Sequence, residues 1–363
     1  SQGPMSLCSA AGVRSPRESG LMREVFQVPV LNEVGGLLRF IVGWTLVSEA
    51  VGAGLLYLQL GAVVPDTSER MYVAVFHAVS AFCNAGFSTF GDSLHGWPVA
   101  SGATGTVMGL LIAGGLGFTV VFELLRRLRA IRGRSPGTRR PVLGLQTRTV
   151  LTWTAALLAI GAIGVAVLEW RGALAGMPWP ERLAHAVFQS ATARTAGFDT
   201  IPIGALAPGT LFLLMMLMFV GGGPGSTAGG VKITTMAVIM AELRAIAAGR
   251  RQVRLRNREL DDLVSHRATV VVTTGALVAA LGVFLLLVCE PLPPLALAFE
   301  AVSAFGTVGL STGITPQLSV AGKLVVIVLM FVGRLGVLTL AYALTRHARD
   351  ASVRLPREQL MIG

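Results

Sequence analysis

The sequence predicts an all-α polytopic membrane protein built from repeated units of helix, re-entrant half-helix and helix around a pore. Three observations carry this prediction. The chain is 53% hydrophobic and 13% charged, with a mean hydropathy of +0.69, whereas soluble domains are about 25% charged. Its basic residues cluster beside apolar runs of the roughly 20 residues that cross a bilayer. One glycine-containing motif recurs three times at a nearly constant spacing.

The basic residues are distributed as in a membrane protein. Most of the 30 Lys and Arg residues fall before residue 40 or into clusters at 126–148, 244–267 and 345–363. The positive-inside rule assigns these segments to the cytoplasm. A nucleic-acid-binding patch is the alternative explanation of the net charge of +11. We reject nucleic acid as a partner because no aromatic residues alternate with the arginines and each cluster borders an apolar run.

The recurring motif divides the chain into three similar units. Its copies are FHAVSAFCNAGFST (76–89), FQSATARTAGFDT (188–200) and FEAVSAFGTVGLST (299–312). Their shared glycines, Gly86, Gly197 and Gly309, are 111 and 112 residues apart. A fixed period of this kind indicates repeated structural units. We expect units at 36–140, 141–258 and 259–348, between a cytosolic segment (1–35), whose first residues resemble a tag remnant, and a cytosolic tail (349–363).

Each unit contains a helix that is too short to span the membrane. The long helices are predicted at 37–60, 98–125, 148–169, 208–246 (broken), 268–289 and 321–346, and the short ones at 71–83, 181–193 and 293–305. About a dozen residues cannot cross a bilayer, so the short helices are predicted to be re-entrant.

The residues that follow each short helix predict a cation-selectivity filter. The C-terminal end of a helix carries a partial negative charge and unpaired carbonyls, and carbonyls of the departing chain can replace the water shell of an ion. Glycine permits the backbone angles that such a turn needs. We name these three stretches the re-entrant loops. Their predicted ion-binding residues are Asn84, Ala85 and Gly86, then Thr195, Ala196 and Gly197, then Thr307, Val308 and Gly309.

A glycine-rich stretch interrupts the apolar run 208–246. This stretch, GGGPGSTAGG at residues 221–230, is named the glycine loop. In hydrocarbon, irregular backbone is tolerated only where it is buried in protein or lines a water-filled cavity, so the glycine loop is predicted to lie at a pore. A phosphate-binding loop is excluded because Val231 separates Gly230 from Lys232 and the flanks are membrane helices. Lys232 is expected near the inner mouth.

Several polar residues lie within or beside the predicted membrane segments. Arg194 is expected to brace its re-entrant loop from behind. His77 and Glu300 each stand nine residues before a motif glycine; they serve either hydrogen bonding inside the bundle or proton coupling. Glu49 must be paired or protonated, and we expect it to be structural.

Acidic residues dominate the side opposite the arginine clusters. An outer mouth with excess negative charge would concentrate cations, and ordinary solvated loops are the alternative for any one of these residues. They are Asp66, Glu69, Asp92, Glu169, Glu181, Asp199 and Glu290.

The motifs SAFCNAGFST, ARTAGFDT, SAFGTVGLSTG, MFVGGGPGSTAGGVK and MFVGRLGVLTLA resemble the Trk/Ktr/HKT superfamily of potassium transporters, most closely its Ktr-type membrane subunit. The resemblance runs from about Gly35 to the end of the chain. It implies four units around one pore, with Gly86, Gly197 and Gly309 as the second to fourth filter glycines. Only three units are visible, and residues 1–35 are too few and too polar for another. We therefore expect the first unit to be absent from this sequence.

The resemblance also implies a function. It implies a potassium-uptake subunit of a prokaryotic plasma membrane, with K⁺ as the transported ion and no organic cofactor. Its implied partners are a second copy of the chain, the lipid bilayer and a cytosolic ring of nucleotide-binding regulatory subunits. The glycine loop is implied to obstruct the pore below the filter. The implied gating residues are Gly221, Gly222, Gly223, Gly225, Ser226, Thr227, Gly229, Gly230 and Arg334.

Arg334 stands in the apolar run 321–346, where a mid-helix charge costs about 2.5–3.5 kcal/mol on insertion scales. No acid lies on the same predicted helix, so carbonyls and hydroxyls of the glycine loop are its expected partners. A structural anchor between helices is the alternative.

Other functional classes fit the sequence less well. A secondary transporter of another cation, sodium-permeable or proton-coupled, would share this pore architecture. A solute transporter that moves by rocking would need polar anchors at the bilayer midplane, where glycine turns are predicted instead. An intramembrane enzyme would need a catalytic pair or metal ligands inside the membrane. We find neither and predict that the protein is not an enzyme.

Overall fold

A computed structural model describes residues 31–97, 102–132, 142–250 and 252–336 of the 363-residue chain, with side chains from residue 35 onward. The described part is helical except for one short β-hairpin and its loops. The predicted C-terminal tail and nearly all of the predicted N-terminal segment lie outside the described residues.

The helices fall into three successive sets. The first set is α1 (Leu31–Gln59), α2 (Thr67–Phe82), α3 (Ala103–Gly115) and α4 (Phe118–Arg132). The second is α5 (Leu145–Glu169), α6 (Trp179–Thr192), α7 (Pro208–Phe219) and α8 (Ile233–Ala247). A hairpin of β1 (Arg254–Leu255) and β2 (Arg258–Glu259) leads to the third set, α9 (Asp262–Cys289), α10 (Pro294–Gly306) and α11 (Val320–Leu335).

The predicted short helices are confirmed. They are α2, α6 and α10, with 16, 14 and 13 residues. Each begins with a recognisable start signal. Asp66 caps α2, and hydrogen bonds from the Ser68 hydroxyl and the Glu69 amide lower the pKa of its carboxyl group. Proline occupies the first turn of α6 and of α10, where its missing N–H costs no hydrogen bond.

The prediction of one long helix over 98–125 is wrong. Residues 103–132 form two helices, α3 and α4, which are bent by 101° at Leu116 and Gly117. Three glycines in the stretch Gly-Gly-Leu-Gly weaken the helix there. Gly117 has a φ of +93°, which glycine adopts without steric cost. The predicted break in 208–246 is confirmed, because α7 and α8 flank residues 220–232.

The outer surface of the helix bundle is apolar, as expected for a surface in contact with lipid. Within the described residues, α5, α9 and the segment Gly35–Gln59 of α1 are long and apolar enough to cross a membrane, and the bent pair α3 and α4 is a possible fourth span. Large apolar side chains on these helices are exposed, among them Leu58 at 77% and Val167 at 70%. Such extensive exposed apolar surface indicates contact with a bilayer.

The half-helices lie inside this shell. Phe82 of α2 is completely buried, and so is Phe299 of α10. Phe198, which follows the second re-entrant loop, is also completely buried and belongs to the same apolar cluster as Phe82 and Leu56. The long helices therefore form the wall, and the short helices with their loops form the packed interior.

In each set, a side-chain oxygen at the outer end of the first helix accepts hydrogen bonds from the start of the helix that follows the short helix. Gln59 accepts from the Thr106 hydroxyl at 2.8 Å. Glu169 accepts from the Ala207 amide at 2.8 Å and from the Thr210 hydroxyl at 2.6 Å. Glu290 accepts from the amide and hydroxyl of Ser319 at 2.9 and 2.6 Å. We name these contacts the outer clamps.

The outer clamps correct one prediction. Glu169 and Glu290 are 1% and 6% exposed. They therefore do not line a solvent-filled mouth, as predicted for outer acidic residues. Their carboxylates are enclosed because each satisfies backbone N–H groups and hydroxyls at a helix start, where four N–H groups lack intrahelical partners.

We predict that Glu169→Ala lowers the free energy of unfolding by about 2–4 kcal/mol, because buried donors that bond a charged group lose their acceptor. Asp92→Ala, which removes an exposed acid on the same side of the protein, serves as the control. Thermal unfolding of the purified protein in detergent measures both. Equal melting temperatures for the two variants would contradict the clamp.

Candidate functional site

The three re-entrant loops share one backbone conformation. Their first residues, Asn84, Thr195 and Thr307, have φ values of +51°, +76° and +52°. Their glycines, two residues later, have φ values of +72°, +85° and +92°. Residues other than glycine rarely adopt positive φ, so three equivalent occurrences mark a required geometry. The φ angle alternates in sign along each loop, which lets successive carbonyls face the same side.

The three loops meet. A Cβ atom added to Gly86 would stand 2.5 Å from the Ala196 carbonyl oxygen and 2.9 Å from Gly197 Cα. One added to Gly197 would collide with the Val308 carbonyl oxygen, and one added to Gly309 would stand 3.7 Å from Gly197 Cα. The predicted filter glycines are thus neighbours, and middle-residue carbonyls of two loops face them. No larger residue fits at Gly86 or Gly197 without displacing backbone.

Each loop is tied back to its own half-helix. The Ser80 hydroxyl donates to the Phe87 carbonyl at 2.8 Å, and the Thr192 hydroxyl donates to the Phe198 carbonyl at 2.5 Å. One turn earlier in α2, His77 bonds Ser88 at 3.0 Å. These bonds fix the chain immediately after the glycine. They hold the loop in one conformation.

The third half-helix uses a carboxylate in the same place. Glu300 accepts from the hydroxyls of Ser311 and Thr315 at 2.9 and 2.5 Å. The hydrogen-bonding alternative for His77 and Glu300 is therefore confirmed. Proton coupling by either residue stays a hypothesis.

The glycine loop is closed at its neck by two backbone hydrogen bonds. The Gly221 amide donates to the Val231 carbonyl at 2.8 Å, and the Val231 amide donates to the Phe219 carbonyl at 3.2 Å. Gly221 and Gly229 face each other so closely that a Cβ on Gly221 would overlap the Gly229 carbonyl oxygen. Residues 221–230 therefore form a compact loop between the ends of α7 and α8.

The backbone of the glycine loop pairs with the break between α3 and α4. The Gly223 amide donates to the Gly115 carbonyl at 2.9 Å, and the Thr227 amide donates to the Gly114 carbonyl at 3.4 Å. In return, the Phe118 amide donates to the Gly225 carbonyl at 3.0 Å. Each interrupted helix thus supplies partners for backbone groups that the other interruption leaves unpaired.

Thr227 connects the glycine loop to the re-entrant loops. Its hydroxyl accepts from Asn84 Nδ2 at 2.9 Å. Gly229 lies against the third re-entrant loop, because a Cβ there would overlap Thr307 Oγ1. Both contacts are at the C-terminal ends of half-helices. The glycine loop therefore lies directly beneath the point where the re-entrant loops meet.

Three cationic side chains hold the glycine loop. The Arg334 guanidinium donates to the Thr227 carbonyl, so its predicted partner is confirmed. Lys232 Nζ donates to the Ala228 carbonyl at 2.6 Å. Arg194 Nη2 donates to the Gly221 carbonyl of the loop neck at 3.3 Å. The expectation that Arg194 braces its own re-entrant loop stays a prediction.

The position of Arg334 differs from expectation, whereas the contact of Glu49 agrees with it. Arg334 lies in the last turn of α11, which ends at Leu335, and not in mid-helix. The predicted continuation at 337–346 lies outside the described residues. Glu49 accepts a weak hydrogen bond from Cys83 Sγ at 3.8 Å, at the C-terminal end of α2. This contact agrees with a structural role for Glu49.

One segment that contacts the glycine loop, the break between α3 and α4, was not predicted from the sequence. The α3–α4 break supplies Gly114, Gly115 and Phe118 as hydrogen-bond partners of the glycine loop backbone. The sequence 98–125 nevertheless predicts one continuous apolar helix. The cluster of Gly114, Gly115 and Gly117 could have indicated this break, because the glycine loop that it contacts is also interrupted by clustered glycines.

Re-entrant half-helices that bring carbonyl-bearing turns together inside a membrane bundle define an ion-conducting class of protein. A family model described as TrkH, cation transport protein, matches residues 29–355. The chain belongs to this family. It is a membrane transport protein and not an enzyme.

Individual relatives agree with this assignment. The Ktr system potassium uptake protein B of Bacillus subtilis is 34% identical over 351 residues, which cover 96% of this chain and 76% of that protein. The potassium/sodium uptake protein NtpJ of Enterococcus hirae is 33% identical over 352 residues, covering 94% and 75%. The crystal structure of the potassium transporter TrkH from Vibrio parahaemolyticus shares the fold, with a TM-score of 0.70, 18% identity and coverage of 90% and 68%.

We predict that Gly117→Ala lowers the free energy of unfolding by about 1–3 kcal/mol, because Gly117 has positive φ and an added Cβ would collide with the Pro224 carbonyl oxygen. Gly109→Ala in α3 is the matched control, since a Cβ there meets nothing within 4 Å. Thermal unfolding in detergent compares the two. A Gly117 variant as stable as the Gly109 variant would rule out the close packing of break and loop.

Proposed function

We propose that this protein is the ion-translocating subunit of a potassium-uptake system. K⁺ passes between the re-entrant loops, where backbone carbonyls near Gly86, Gly197 and Gly309 replace its water shell. The observation that carries the proposal is the shared positive-φ geometry of three loops that meet at one point. The names of the relatives from B. subtilis and E. hirae, both potassium-uptake proteins, support the choice of ion.

The glycine loop obstructs this path from below. Thr227 lies against Asn84, and Gly229 lies against Thr307, so an ion leaving the re-entrant loops would meet the glycine loop first. The loop can move as a unit because its neck is closed by the Gly221–Val231 pairing. Arg334 stabilises the closed position through the Thr227 carbonyl and also opposes a passing cation by its charge.

Sodium permeation is the second candidate. The E. hirae relative is named as a potassium/sodium uptake protein. Asn84 occupies the first position of its re-entrant loop, where the other two loops have threonine. The side chains around the path at this position are therefore not identical. The competitive Rb⁺ and Na⁺ flux measurement described below distinguishes potassium from sodium permeation.

The proposed partners are a second copy of the chain and a cytosolic, nucleotide-binding regulatory ring. The name Ktr system, carried by the B. subtilis relative, suggests a membrane component that works with other subunits. The three units at 36–140, 141–258 and 259–348 are proposed to be the pore-forming repeats.

We predict that Gly197→Ser reduces discrimination of Rb⁺ and K⁺ over Na⁺, because its side chain would displace the Val308 carbonyl. The same direction is expected for serine at Gly86 and Gly309. Gly176→Ser is the matched control: Gly176 has a φ of +84°, and a Cβ there meets nothing within 4 Å. Competitive Rb⁺ and Na⁺ flux into liposomes provides the measurement. Parental selectivity in all three folded filter variants would refute the filter assignment.

We predict that Arg334→Ala increases basal cation flux by about 10- to 100-fold, since a hydrogen bond from a charged group contributes about 1.5–3 kcal/mol to closure. Arg334→Lys should keep part of the block because it keeps the charge. Lys323→Ala, at the opposite end of α11, is the control. Liposome flux without any regulatory partner decides the matter. A decrease in flux for folded Arg334→Ala would leave only a structural role.

A further inference from the structure

Thr227 joins the glycine loop to three other segments through all of its polar groups. Its amide donates to the Gly114 carbonyl at 3.4 Å, and its carbonyl accepts from the Arg334 guanidinium. Its hydroxyl donates to the Phe82 carbonyl at 3.3 Å and accepts from Asn84 Nδ2 at 2.9 Å. The hydroxyl therefore contacts the end of α2 and the first re-entrant loop, which the proposed ion path passes.

The Phe82 carbonyl is the last one of α2. The three carbonyls before it, at residues 79–81, accept the backbone amides of residues 83–85. Within the described residues, the Phe82 carbonyl accepts no backbone amide and is capped by the Thr227 hydroxyl. Unpaired carbonyls carry the partial negative charge at the C-terminal end of a helix. A cation leaving the re-entrant loops is therefore attracted to the same oxygen that Thr227 caps.

The Thr227 hydroxyl also fixes the orientation of the Asn84 amide. A hydroxyl has one proton to donate, and Thr227 donates it to Phe82. Thr227 Oγ1 must then accept from Asn84, so the amide nitrogen faces the glycine loop. Asn84 Oδ1 is buried and has no hydrogen-bond partner among the residues that the structure describes. Half a turn of the amide would direct this oxygen to the place that Thr227 occupies.

Thr227 and a cation cannot use these two groups together. A cation needs the oxygen of the Asn84 amide, whereas Thr227 needs its N–H group, so the two occupants require opposite orientations. The space around the carbonyl is also filled. An added Cβ on Gly114 would overlap the Phe82 carbonyl oxygen and would stand 3.0 Å from Thr227 Oγ1. A cation therefore reaches this position only after Thr227 has moved.

We infer that the transported cation itself opens the gate, by competing with the Thr227 hydroxyl for the Phe82 carbonyl and the Asn84 side chain. The inference rests on the proposed ion path and adds one cation position to it, below the filter glycines. An ion held at the filter glycines is compatible with closure, whereas an ion at this lower position is not. A ligand that binds one of two states shifts the equilibrium toward that state.

Hydrogen–deuterium exchange of the full chain in detergent measures this competition. The amides of Gly223 and Thr227 report on closure, because both bond to the break between α3 and α4. Choline is replaced by Rb⁺ at constant pH and ionic strength, and calorimetry measures Rb⁺ binding in parallel. We expect exchange in the peptide 221–231 to rise with Rb⁺, by about tenfold at about ten times the concentration that doubles it. Exchange in α5 should not rise.

Two variants separate the two sides of the competition. Thr227→Val removes the hydroxyl and keeps the side-chain volume, so it should raise exchange without Rb⁺ roughly tenfold and leave the doubling concentration unchanged. Asn84→Gly removes the amide and suits the φ of +51° at this position. It should raise the doubling concentration about tenfold, because the cation loses one polar partner.

Thr273→Val is the matched control, because the Thr273 hydroxyl bonds carbonyls of its own helix. Both quantities should stay within about twofold of the parent. Rb⁺ that binds in calorimetry without accelerating exchange at 221–231 would overturn the inference and leave the proposed ion path standing. Absence of Rb⁺ binding would overturn both. An unchanged doubling concentration in the Asn84→Gly variant would reduce Thr227 to a structural cap and would likewise overturn the inference.

Discussion

Every backbone N–H and C=O at the depth of the bilayer needs a partner, and this requirement governs the centre of the protein. Two helices are broken there, between α3 and α4 and between α7 and α8. Each break would be costly alone. Hydrogen bonds from Gly223 and Thr227 to Gly115 and Gly114, and from Phe118 to Gly225, let each break satisfy part of the other. The irregular backbone of both breaks is therefore stable within the membrane, as the proposed movable obstruction requires.

The same requirement explains the distribution of polar side chains. Carboxylates and amides at the outer ends of α1, α5 and α9 pair with the starts of later helices. Cations at the inner side, Arg194, Lys232 and Arg334, pair with carbonyls in or beside the glycine loop. Charge in the interior is thus used to hold backbone in place. In the proposed function, the ion path itself is formed by the backbone of the re-entrant loops.

Most of the architecture was predictable because repetition amplifies weak local signals. Three glycine turns at one period predicted α2, α6 and α10, and the cluster of six glycines predicted the interruption between α7 and α8. The bend at Gly117 was not predicted, because three glycines in an apolar run are also compatible with a packed helix. The partner of Arg194 and the burial of Glu169 depend on contacts between distant segments, which no local pattern contains.

The central claim is that the three re-entrant loops form a cation site that the glycine loop closes from below. A crystal structure of the full chain in Rb⁺, using anomalous scattering, tests it most directly. The account predicts an anomalous peak between the carbonyls near Gly86, Gly197 and Gly309, with Thr227 beneath it and bonded to Asn84. Rb⁺ bound elsewhere with none at this level, or a glycine loop lying away from Asn84 and Thr307 in the closed protein, would contradict the account.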